Sequence, residues 1–79
     1  MQDELAISVA RVVATANKRA TEMGVDVRQS IITITRITDG EPRWRVNYGS
    51  MDYIRRRGGD LIVDVDEDNT TIRRVLRGQ

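Results

Sequence analysis

Apolar residues recur at a helical period over residues 3–23. Leu5, Val9, Val12, Val13, Ala16, Ala20 and Met23 fall on one stripe, with Glu4, Ser8, Arg11, Thr15, Lys18, Arg19 and Glu22 on the other side. Asp3 is placed to cap the first turn, and Glu4 suits the positive end of the helix dipole. Gly24 followed by Val25 is the pattern of a left-handed glycine with a Schellman-type apolar contact, which predicts that the helix stops there. The alanines on the stripe leave room for a close neighbour.

Beyond Gly24 the period falls to two. Residues 30–38 are β-branched almost throughout, and Asp39-Gly40-Glu41-Pro42 is a turn sequence. Residues 43–48 alternate, with Trp44, Val46 and Tyr48 on one face and Arg43, Arg45 and Asn47 on the other. Residues 49–58 read as a loop or a frayed strand extension. Residues 59–66 alternate again, an acidic turn follows, and residues 71–77 form a last strand. Short connections require antiparallel neighbours. The prediction is a single α+β domain over residues 1–79, one N-terminal helix packed on a four-stranded antiparallel meander, αββββ. Strict alternation puts Ile32, Ile34, Trp44, Val46, Tyr48, Leu61, Val63, Val65, Ile72 and Leu76 under the helix, with Arg74 on that side. It sends Arg73, Val75 and Arg77 to the open face.

Composition narrows the chemistry. The 79 residues are 39 % apolar with net charge +1, ordinary for a globular chain, although 32 % charged is high for one this short. There is no cysteine and no histidine, which removes disulfides, the usual zinc ligands and the commonest general base. No glycine-rich phosphate loop or nucleophile elbow is present, so the chain is read as non-catalytic, with no cofactor and no small-molecule substrate. No apolar run approaches a membrane span, and the acidic N-terminus is unlike a secretory signal, so a soluble cytoplasmic protein is expected. A domain this small, without disulfide or metal, is expected to associate with another chain, a homodimer included.

The order of elements carries a resemblance. An N-terminal helix, a Trp-x-Val strand (Trp44-Arg45-Val46), a Leu-Ile-Val-Asp-Val-Asp strand (residues 61–66), an acidic turn and a closing Val-Leu-Arg-Gly-Gln (residues 75–79) resemble small PepSY-like domains and, more broadly, the cystatin-like α+β class. PepSY-like domains commonly carry Asp-x-x-Thr-Gly-x-Val at the last turn; the corresponding residues 66–72 here contain no glycine. The resemblance implies a helix on a curled antiparallel sheet and a non-catalytic role in interaction or inhibition.

Three clusters hold the candidate sites. On the open face, Ile31, Ile37, Ile62 and Val75 are expected to stand among Arg43 and Arg45, an apolar stripe rimmed by charge and suited to a protein partner or a second copy, with a sheet edge as the other place for such an interface. Arg55-Arg56-Arg57 beside Gly58-Gly59 is the densest charge in the chain and the alternative, a grip on a nucleic-acid backbone, with Tyr53 and Trp44 for stacking. Asp64, Asp66, Glu67, Asp68 and Asn69 cluster oxygen ligands as a hard-cation site would. Asp64 and Asp66 lie on a strand face, however, and are read as cross-strand partners of arginine, so no metal is assigned.

Overall fold

The computed structural model describes residues 3–50 and 60–77. Helix α1 spans Glu4–Glu22, a single 3-10 turn spans Val27–Gln29, and four strands follow: β1 (Ser30–Ile37), β2 (Arg43–Ser50), β3 (Leu61–Asp66) and β4 (Ile72–Arg77). The strands form one antiparallel sheet in chain order, β1-β2-β3-β4, so the protein is α+β with the predicted αββββ topology.

Both ends of α1 are set by local chemistry. Asp3 Oδ1 accepts hydrogen bonds from the Leu5 and Ala6 amides at 3.0 and 3.2 Å, satisfying two of the free donors of the first turn. At the other end Gly24 adopts φ +87°, a conformation that costs glycine nothing. The Gly24 amide then reaches Thr21 O, and the Val25 amide reaches Ala20 O, each at 3.0 Å, which is the Schellman pair of bonds. Gly40, at φ +78°, turns the chain between β1 and β2 in the same way. The 3-10 turn was not foreseen; it feeds β1, with Ser30 Oγ donating to Asp26 O at 2.8 Å.

The core lies between α1 and the middle of the sheet. Val12, Ala16 and Ala20 from the helix are buried against Trp44, Val46 and Tyr48 of β2 and Leu61, Val63 and Val65 of β3. Ala16 and Ala20 are fully covered, so the backbone of α1 sits close over the sheet. The helix packs on β3 and β2 and leaves β1 largely uncovered. Ile34 is therefore 37 % exposed rather than buried as expected, and Ile32 is only half-buried. Leu5 and Met23 are exposed as well, one near each end of α1.

The larger departure is in β4. Val63 pairs with Val75 and Asp64 with Arg74, but Val65 pairs with Ile72, so Arg73 is an extra residue in a β-bulge. One inserted residue reverses the faces of everything beyond it, because side chains alternate with a period of two. Val75 thus packs against the core, correcting its predicted place on the open face. Leu76 opposes Ile62 on the outer face and is 39 % exposed, correcting its predicted place under the helix. Arg74 turns outward opposite Asp64, and Arg77, expected outside, donates from Nη2 to Met23 O at the end of α1, at 3.2 Å.

Candidate interaction surface

The sheet face away from α1 is built from alternate residues of all four strands. Ile31, Thr33, Thr35 and Ile37 come from β1, Arg43, Arg45 and Asn47 from β2, Ile62, Asp64 and Asp66 from β3, and Arg74 and Leu76 from β4. At its centre stands Asp64, only 1 % exposed although it faces away from the core. Arg45 covers it with a bidentate pair of hydrogen bonds, Nε to Oδ1 at 2.9 Å and Nη2 to Oδ2 at 3.0 Å. Arg74 Nη2 lies 3.7 Å from Oδ2 on the other side. Arg43 Nε lies 3.4 Å from the same oxygen, near enough for an ion pair but without hydrogen-bond geometry.

Burial alone would push the Asp64 carboxyl up. The Arg45 hydrogen bonds and the charges of Arg45, Arg43 and Arg74 outweigh it, and the group is held below its ordinary value of 3.8. Beside this cluster Asp66 Oδ1 accepts from the Asp68 and Asn69 amides at 2.8 and 3.2 Å, while Arg73 bridges Asp66 Oδ2 and Glu41. An open hollow of about 310 Å³ is lined by Glu41, Arg43, Asp64, Arg73 and Arg74. Its surroundings hold four guanidinium groups against three carboxylates.

The expected apolar stripe does not form as one band. Ile62 opposes Leu76 directly, and Ile31, 50 % exposed, lies near them toward the same end of the sheet. Ile37 is half-buried opposite Arg43, six residues along β1 and so roughly 20 Å from Ile31. The arginine–aspartate cluster separates the two ends. Of the predicted residues, Ile31, Ile37, Arg43, Arg45 and Ile62 occupy the outer face, and Val75 does not. Leu76 and Arg74 were missed there. The Arg73-Arg74 doublet was the available signal: in a regular strand one of two adjacent arginines must point into the core, unless a bulge lets both reach solvent. Arg55, Arg56 and Arg57 lie outside the described residues.

The helix side carries its own polar contacts. Tyr48 Oη donates to Asn17 Oδ1 at 2.6 Å, and burial pushes the phenol up to about 12. Arg36 stacks over Trp44 at 5.5 Å from the ring centre, and its Nε donates to Glu67 Oε1 at 2.7 Å. A hollow of about 420 Å³ beside this stack is lined by Leu5, Ser8 and Asp68 with Glu4, Arg36, Trp44 and Glu67. Among the described residues no group of three or more carboxylates gathers where a metal ion could sit, and no helix is long and apolar enough to cross a membrane. Protein-family models, curated proteins and solved structures give no match to this chain.

Proposed function

We propose that the protein is a small non-catalytic interaction module, PepSY-like or cystatin-like in form, that binds a protein or a second copy of itself through sheet surface that α1 leaves uncovered. The observation that carries this reading is the one-sided cover of the sheet. The helix shields β2 and β3 on one face, while Ile31, Ile62 and Leu76 stand exposed or half-exposed on the other, beside a preorganised set of arginines. An apolar patch bordered by charge is the ordinary composition of a protein interface, with arginine favoured because its fork pairs with carboxylates bidentately. The lack of histidine and cysteine anywhere in the chain supports a binding role over a catalytic one.

Solution mass by light scattering, at low and high salt, tests the reading. A dimer that survives high salt and is weakened by a charge on the sheet, such as Ile62→Lys on the face or a lysine on an edge strand, is the expected result. A chain that stays monomeric at every concentration and instead binds oligonucleotides, with affinity falling steeply with salt and lost on replacing Arg55, Arg56 and Arg57 by alanine, would sink it.

A further inference from the structure

Resting on the reading of the sheet as the interaction surface, we propose that β1 is the self-association edge: two copies pair β1 with β1, antiparallel about a two-fold axis at Thr33, to make one continuous eight-stranded sheet. The two edges of the sheet are built differently. Edge β4 carries Arg73, Arg74 and Arg77 and is broken by the bulge, two of the devices that keep an edge from templating a further strand. Edge β1 has no bulge and a single charge. It runs eight residues, Ser-Ile-Ile-Thr-Ile-Thr-Arg-Ile, without glycine, proline or bulge. Its one charge, Arg36, is tied on the helix side to Glu67 and stacked on Trp44. Among the described residues, β1 pairs only with β2, so its other edge presents a row of free backbone donors and acceptors.

The side chains are complementary to their own copies. Centring the axis on Thr33 sets Thr33 opposite itself, Ile31 opposite Thr35 and Ser30 opposite Arg36 on the two faces of the strand. It also sets Ile32 opposite Ile34 twice. Ile34 is exposed on the helix side, and Ile32 is only half-buried at the margin of the core. Moving the axis one residue to Ile34 would instead set Arg36 against Ile32. The Ile34 register would also set Ile34 against itself and Ile31 against Ile37, but on the helix side only the Thr33 register of the two gives both Ile32 and Ile34 an apolar partner and keeps Arg36 off them; β-branched residues placed directly opposite each other support the ladder. An isologous contact of this kind closes on itself and leaves the guarded β4 edges at the two ends of the assembly.

The chain has no cysteine, so one introduced at the axis gives a clean readout. Directly opposed Cβ atoms in an antiparallel pair lie about 5 Å apart. Thr33→Cys should therefore cross-link into a covalent dimer with mild oxidant or a very short thiol-reactive reagent. Thr35→Cys, whose two copies would stand about 14 Å apart in this register, should not. Thr33→Lys places two like charges face to face and should convert dimer to monomer, with circular dichroism reporting an intact fold. Mixing it with Thr33→Glu should restore a heterodimer. Equal cross-linking of the two cysteine variants overturns the proposal, and so does a dimer that Thr33→Lys leaves intact. A dimer broken by Ile62→Lys but not by Thr33→Lys also overturns it, while leaving the sheet reading standing through its outer face. A monomer at millimolar concentration removes the β1 pairing together with self-association.

Discussion

Asp64 is where the outer face is most exposed to refutation. Asp64→Asn keeps the size and shape of the side chain, so no cavity forms, and removes one negative charge from beneath three arginines. The Asp64 side chain is 2 % exposed, while the Arg45 and Arg43 side chains retain 33 % and 21 % exposure. Removing one partner of a fully buried ion pair costs on the order of 3–5 kcal/mol, because the other charge is left stranded. Here the arginines keep partial contact with water, and the carbonyl oxygen of the substituted amide still accepts one bond from Arg45, which brings the expected loss to about 2 kcal/mol. In a domain of this size that is a fall of roughly 10 °C in Tm. The pH dependence follows from the depressed carboxyl. Its contribution is complete above the unfolded-state value and is lost as pH falls through the lower native value. Thermal unfolding followed by circular dichroism should therefore separate wild type from Asp64→Asn fully at neutral pH, with the gap closing below about pH 4. A neutral-pH difference under about 0.5 kcal/mol, the range of an ordinary surface substitution, would refute the reasoning. So would a gap that persists undiminished in strong acid.

Three further expectations test other parts of the structure. Val75→Lys should cost about 2 kcal/mol, because Val75 packs on the core, whereas Leu76→Lys should stay within about 0.5 kcal/mol; chemical denaturation of the two variants checks the bulge, and the reverse order would restore a regular β4. Thr70 holds φ 58° as a β-branched residue, so Thr70→Gly should raise stability by about 0.5–1 kcal/mol, and a loss would mean the threonine side chain secures the turn. Tyr48 resists ionisation until about pH 12 because it is buried, so the folded state should lose stability as pH rises from 10 toward that value. Tyr48→Phe should lack this alkaline decline, and an unchanged profile would assign it to another group.

The helix and three of the strands were legible because each has a period that one feature resolves. The Asp3 cap, the Gly24 stop and the Trp44-x-Val46-x-Tyr48 alternation act through neighbours in sequence, and their structures follow local rules. β4 was misread because the bulge is a relation between two strands. Residues 72–77 alternate acceptably in either register, and the choice is made where Asp64 meets Arg74 and Arg73 reaches Asp66 and Glu41. The position of α1 over β3 and β2 was equally invisible, since the apolar stripe says which face packs but not which strands it packs on. Hence Ile34 was placed under a helix that passes to one side of it.

The bulge and the open edge have a common consequence. Inserting Arg73 turns Arg74 toward Asp64, which lets one carboxylate organise arginines from β2 and β4 and keeps the central strands in a fixed register from the outside. It also loads β4 with outward charge and bends it away from regular pairing, so a further strand is least welcome there. The same insertion brings Val75 inward to complete the core beneath α1 and releases Leu76 to the surface. β1 receives none of these restraints: α1 leaves it largely uncovered, among the described residues no buried carboxylate lies beneath it, and its central five residues are isoleucine and threonine alone. An uninterrupted strand whose single charge is tied to Glu67, at one edge of a sheet whose other edge is defended, is a site where pairing costs little. In the proposed pairing an identical strand is the partner, because its Ile32 and Ile34 would meet Ile34 and Ile32 of the first.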